Sequence, residues 1–236
     1  MTMPSATLRR LFWVVAFGIA FGYVEASVVA YLRGLYYPEG FGFPLKFMMP
    51  AHLTIELVRE ASTMIMLVAV AMLAGSEPWS RFGFFILGFG VWDIFYYVWL
   101  KVALDWPLSL FDWDILFLIP LPWIGPVIAP VLISLLMIVV GWIIVSRVEE
   151  NKFFAPHAMS WALSAVGVAC VLYSFMKDTP ATLHGQSPSP YSYLLLVVCL
   201  VLCLAGFLVA CSARTSAKPL RGSSGKLHSP AKSKLR

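Results

Sequence analysis

Six stretches of the chain consist mostly of apolar residues, and each is long enough to cross a bilayer as a helix. A transmembrane helix needs about 20 such residues because the hydrocarbon core is about 30 Å thick. The segments between them are short, which leaves no room for an extramembrane domain. The pattern therefore predicts an all-α, polytopic membrane helical bundle with about six transmembrane helices, at roughly 11–32, 52–75, 82–104, 123–146, 158–176 and 191–211.

The first stretch also shares features with a secretory signal peptide. Arg9 and Arg10 precede the apolar run, and small residues flank Glu25 as they would at a cleavage site. The apolar run continues through residues 27–32, which a cleaved signal would not need. We therefore favour an uncleaved transmembrane helix.

The composition restricts the class of protein further. Hydrophobic residues make up 60% of the chain and charged residues 12%, with a mean hydropathy of +0.83. A soluble domain is about 45–50% apolar and about 25% charged, and its surface could not hide this excess. A soluble enzyme, a nucleic-acid-binding domain and a disordered protein are excluded, and the expected partner is the lipid bilayer.

The basic residues are concentrated at the end of the chain. Seven of the 17 Lys and Arg residues follow Cys211, in a segment without acidic residues. Such a segment cannot build a core, so we expect residues 1–211 to form a single transmembrane domain and residues 212–236 a disordered basic tail. The tail would fix the topology or contact anionic lipids.

The same residues predict the orientation. With both termini in the cytoplasm, twelve Lys and Arg residues lie inside and four outside, as the positive-inside rule favours. We therefore expect an integral protein of the bacterial cytoplasmic (inner) membrane with both termini cytoplasmic. The oligomeric state is not indicated by the sequence.

Four prolines interrupt the start of the fourth stretch, because proline removes hydrogen bonds from a regular helix. We expect an extended segment at Pro120 and Pro122, with Pro126 in the first turn of the fourth helix. Pro130 is expected to kink that helix. The segment is either a kinked helix start or a re-entrant element lining a cavity, since irregular backbone must be shielded from lipid.

Ionisable side chains occur mainly in the first three predicted helices, where they mark function or an internal partner. Glu56 and Glu60 lie on one face of the second helix with Arg59 beside them. Glu25 lies in the first helix, next to a stripe of small residues that suits close helix packing.

The third helix contributes a second polar face, which carries Asp93, Tyr97 and Lys101. At about 1.5 Å per residue, Glu25, Glu60 and Asp93 fall at comparable depths in the predicted outer half of the bilayer. Because short loops bring successive helices together, we expect these side chains to line one pocket.

Clustered carboxylates give this pocket a chemical property. The acids around Arg59 cannot all stay ionised in a low dielectric, so we expect at least one to hold a proton near neutral pH. A general acid needs that property. We therefore favour an intramembrane acid/base enzyme acting on a lipid or isoprenoid substrate. The candidate catalytic residues are Glu60, Asp93 and Glu25, and the candidate substrate-binding residues are Arg59, Glu56, Tyr97 and Lys101.

Two other functions remain open. One is a small solute or proton-linked transporter, although the absence of internal repeats counts against it. The other is a membrane scaffold or assembly subunit, in which Arg59 and the acids form a structural ion network. A cavity opening between helices favours the enzyme, a continuous polar path favours the transporter, and a fully packed cluster favours the scaffold.

No metal or cofactor is expected from the motifs. The four cysteines lack CxxC or Cys/His spacing. His52, Glu56 and Glu60 share a helix face, but a single histidine without an E-x-x-H partner helix is poor support for a metal site.

Overall fold

The computed structural model describes residues 3–46, 48–150, 154 and 156–212. Within these residues the chain forms a helical bundle with one small β-hairpin. Its elements are α1 (Ser5–Tyr36), α2 (Pro50–Ala74), α3 (Pro78–Leu104), β1 (Trp113–Phe117), β2 (Trp123–Pro126), α4 (Ile128–Glu149), α5 (Ala158–Met176), α6 (Thr179–Leu183) and α7 (Tyr193–Ser212). The basic tail was expected over residues 212–236; Ser212 is the last residue of α7, and residues 213–236 lie outside the described residues.

Six helical segments of the described chain are long and apolar enough to cross a membrane. They correspond to the six predicted stretches, the fifth being α5 together with α6. The all-α bundle is therefore confirmed, and the chain is a multi-pass membrane protein. Both α2 and α3 start with proline, Pro50 and Pro78, where the missing N–H would have had no helical partner.

Glycines bring α1 and α3 close together. A Cβ atom placed on Gly22 of α1 would lie 3.0 Å from the carbonyl oxygen of Trp92. One on Gly18 would lie 2.9 Å from Val91. The glycines of the small-residue stripe noted in the sequence thus face α3, and Glu25 lies about one turn after Gly22.

A second glycine contact joins α3 and α4. A Cβ on Gly141 would lie 2.6 Å from the carbonyl oxygen of Gly83, and one on Gly90 would lie 2.6 Å from that of Ser134. These two helices therefore touch at the level of their backbones.

The start of the fourth helix differs from the sequence prediction. Residues 123–126 form β2, which pairs antiparallel with β1, so the placement of Pro126 in a helical turn was wrong; it pairs with Trp113. Helix α4 begins only at Ile128, whose N–H donates to the carbonyl of Leu110. Pro130 therefore lies in the first turn and not inside the helix, where proline would break a hydrogen bond and bend it.

Helices α5 and α7 form a separate pair. Gly167 of α5 meets Cys203 of α7, and Gly206 of α7 meets Ser164 of α5. At the other end of α5, Phe175 stacks on Trp123 of the hairpin with 6.3 Å between ring centroids. The space between this pair and helices α3 and α4 is the larger of the two cavities described below.

Candidate functional site

A cavity of about 130 Å³, here called the polar cavity, lies between α1, α2, α3 and β1. Charged side chains from all of these elements and from the segment after α1 line it: Glu25, Arg33, Lys46, Glu56, Arg59, Glu60, Asp93 and Asp114. The structure thus brings five of the seven sequence-predicted site residues to one cavity.

Arg59 is the centre of an ion-pair network. Its guanidinium pairs with Glu25 of α1, and its Nε and Nη2 contact Glu56 Oε2 at 2.8 and 2.7 Å. Thr63 Oγ1 donates to the other oxygen of Glu25 at 2.8 Å. Both carboxylates are almost fully buried. The network links α1 to α2, and it also neutralises Arg59.

Glu60 takes its hydrogen bonds from the hairpin, and Arg59 acts on it through its charge. The backbone N–H of Leu118 donates to both Glu60 carboxylate oxygens, at 2.9 and 3.1 Å. Glu60 lies ten residues beyond Pro50, the first residue of α2, or about 15 Å along the helix axis. The hairpin turn therefore lies beside the middle of α2, and residues 120–121 of that turn are exposed on the surface. The re-entrant interpretation of the proline segment stays a prediction.

Asp93 of α3 accepts a hydrogen bond from Ser134 Oγ of α4 at 2.8 Å. Besides the polar cavity, it lines a second space of about 460 Å³, here called the apolar cavity. Trp92, Leu116 and Phe117 also line both. Asp93 therefore stands at the junction of the two cavities.

The apolar cavity lies between α3, α4, α5 and α7 and has the size of a small-molecule site, for which about 300–1,000 Å³ is typical. Aromatic and aliphatic side chains form its walls, among them Trp79, Phe82, Phe89, Trp123, Trp161 and Phe175. Among the described residues that line it, Asp93 is the one that is acidic or basic.

A second buried ion pair was not predicted from the sequence. Arg33, at the end of α1, donates to Asp114 of β1 at 2.8 Å. Its guanidinium carbon lies 3.6 Å from the ring centroid of Trp106 and 4.4 Å from that of Phe41. Burial raises the pKa of the Asp114 carboxyl above its ordinary value, and the Arg33 charge opposes part of that shift. The sequence signal nearest to this ion pair is the run of prolines, which predicted irregular backbone close to Asp114 without indicating its partner.

Two predicted substrate-binding residues lie outside the polar cavity. Lys101 is exposed and pairs with Asp105 at 2.7 Å, because α3 turns that face outward near its end. Tyr97 is buried in a cluster with Ala26, Leu100 and Val127. Its neighbour Tyr96 lines the cavity instead, since adjacent residues on a helix point about 100° apart.

His52 hydrogen-bonds to another side chain, with 2.6 Å between its Nδ1 and the Tyr36 hydroxyl. In the described part of the chain, no group of three or more His, Cys, Asp or Glu side chains is arranged to hold a metal ion.

Comparisons with protein-family models, with curated proteins and with solved structures gave no match to this chain.

Proposed function

We propose that the chain is an intramembrane enzyme that transfers protons to and from a lipid or isoprenoid substrate. One observation carries the proposal: Asp93 lines both the polar cavity and the apolar cavity. A substrate whose apolar body fills the larger space would present its end to a carboxyl group. The site would lie in the outer half of the membrane, with both termini cytoplasmic.

The carboxyl groups divide into two sets by their contacts. Glu25 and Glu56 both pair with Arg59, and Glu25 also accepts a hydrogen bond from Thr63, so they serve best as positioning residues. Asp93 and Glu60 have no arginine or lysine among their hydrogen-bond partners in the described part of the chain. These two are the best acid and base candidates.

Two carboxyl groups that line one cavity can act as the acid and the base of an isomerisation. One donates a proton to the substrate while the other removes a proton from a neighbouring atom, so the reaction needs neither oxidant nor reductant. General acid–base catalysis by a positioned side chain contributes about 10²–10⁴-fold to a rate.

The scaffold function draws support from the Arg59 ion-pair network alone. It leaves unexplained why a cavity of about 460 Å³ adjoins the site, because a cluster that only joins helices would be packed closed.

The test compares lipid extracts from cells that express the wild-type chain, Asp93→Asn or no chain. Mass spectrometry should show a lipid that the wild type converts and that Asp93→Asn leaves unconverted. The amide keeps the shape of the side chain and a carbonyl oxygen that can accept from Ser134, so the variant should still fold. Thermal unfolding of the purified variant checks this point.

Asp105→Asn is the matched control, since that carboxylate is exposed, with 85% of its side chain accessible, and lies outside both cavities. It should behave as the wild type. If the wild type changes no lipid, or if Asp93→Asn converts the lipid as fast as Asp105→Asn does, the enzyme proposal is refuted.

A further inference from the structure

The apolar cavity is long in one direction. Along α3 its lining residues run from Trp79 to Asp93, a separation of fourteen residues, or about 21 Å at 1.5 Å per residue. Half of the hydrocarbon core of a bilayer is only about 15 Å thick. An occupant that fills the cavity is therefore extended, and longer than one leaflet is deep.

The charged side chains of the polar cavity restrict the chemistry of the group at the end of that occupant. Arg59 is paired with Glu25 and Glu56, and Arg33 is paired with Asp114. Glu60 and Asp93 accept from the Leu118 backbone and from Ser134.

Apart from Arg33 and Arg59, the basic residue among the described residues that line the polar cavity is Lys46, and it is exposed to solvent. A phosphate or diphosphate at the junction would therefore face two carboxyl groups without a free buried cation. Because burying a charge without a partner is costly, this site disfavours an anionic group.

Unpaired donors favour a neutral oxygen instead. The indole N–H groups of Trp92 and Trp123, which both line the apolar cavity, are buried without a partner in the described part of the chain. A buried donor without an acceptor destabilises a structure, because it has lost its hydrogen bonds to water. A hydroxyl or carbonyl oxygen of a ligand would satisfy such donors without adding charge.

We infer that the substrate is an elongated, uncharged isoprenoid-type lipid that carries at most a neutral oxygen at the end facing Asp93. Phospholipids and prenyl diphosphates are expected to bind more weakly, because their charged groups would face two carboxyl groups. This inference rests on the proposed function, because it calls the bound lipid a substrate. Its test measures binding alone, so the inference and the proposed function can fail independently.

The probes are geranylgeraniol and geranylgeranyl diphosphate, which share one isoprenoid chain and differ in the charge of the end group. Titration of the purified protein in mild detergent, followed by native mass spectrometry, gives both affinities. The alcohol should bind at least about tenfold more tightly, and farnesol, with a shorter chain, should bind more weakly than geranylgeraniol.

Two variants of α4 show whether the probe occupies the apolar cavity. Met137 lines the cavity, and Met137→Trp should fill part of it and weaken geranylgeraniol binding at least about tenfold. Leu135 lies two residues away on the exposed surface of α4, and Leu135→Trp should leave binding unchanged.

Three results would overturn the inference: equal or tighter binding of the diphosphate, no binding of the alcohol, or equal effects of the two tryptophan variants. None of them bears on whether Asp93→Asn stops lipid conversion. Loss of that conversion with tight diphosphate binding would leave the enzyme proposal standing and change its substrate.

Discussion

Removal of the Arg59 side chain should be among the most destabilising single changes in this protein. In Arg59→Ala the carboxylates of Glu25 and Glu56 would lose their cation while remaining buried, since only 6% and 5% of their side chains are accessible. Breaking a buried ion pair costs about 3–5 kcal/mol, because an uncompensated charge remains. For a chain of this size each kcal/mol lowers the Tm by roughly 2–4 °C, so the expected loss is roughly 6–20 °C.

The assay is thermal unfolding of the purified protein in mild detergent, with circular dichroism as the signal that reports the loss of helix. Arg9→Ala is the matched control, because it removes the same side chain and the same charge from an exposed position of α1. Arg33→Ala cannot serve, because Arg33 is itself buried and paired with Asp114. Replacing Glu25 by Gln in the Arg59→Ala background should recover part of the stability, as coupled residues do not act additively.

Two outcomes would contradict this reasoning. Arg59→Ala could unfold within a degree or two of Arg9→Ala, which would mean that water or lipid headgroups compensate the two acids. Alternatively, Glu25→Gln could give no recovery, which would mean that the buried charge is not the cause of the loss.

Two further predictions concern packing and topology. Gly141→Ala should destabilise the protein by about 1–3 kcal/mol, because its new methyl group would meet the backbone of α3, whereas Gly34→Ala, with no atom within 4 Å of the new group, should be neutral in the same unfolding assay. A cysteine at position 187 in place of Ser187 should react with a membrane-impermeant thiol reagent in intact cells, and one in place of Ser223 should react only after permeabilisation; the reverse pattern would refute cytoplasmic termini.

Much of the site was predictable because local spacing carried the information. Glu56, Arg59 and Glu60 follow one another on a helix, and the small residues near Glu25 marked the face that packs on α3. The pairing of Arg59 with Glu25 and Glu56 and the access of Asp93 to the same cavity agree with that spacing. Helical periodicity was less reliable near Tyr97, since a rotation of one residue exchanges Tyr96 for Tyr97 at the cavity wall.

The sequence by itself determined that this chain is a bundle of six membrane-spanning helices, because the length and hydropathy of each segment decide membrane insertion locally. The tertiary structure alone decided three other features. These are the hairpin of β1 and β2 that brings the Leu118 N–H to Glu60, the pairing of Arg33 with Asp114, and the apolar cavity beside Asp93. Each of them depends on contacts between residues that are distant in the chain. A cavity is the volume left unfilled between packed helices, so it depends on the side chains of all of them. No local pattern of residues records that.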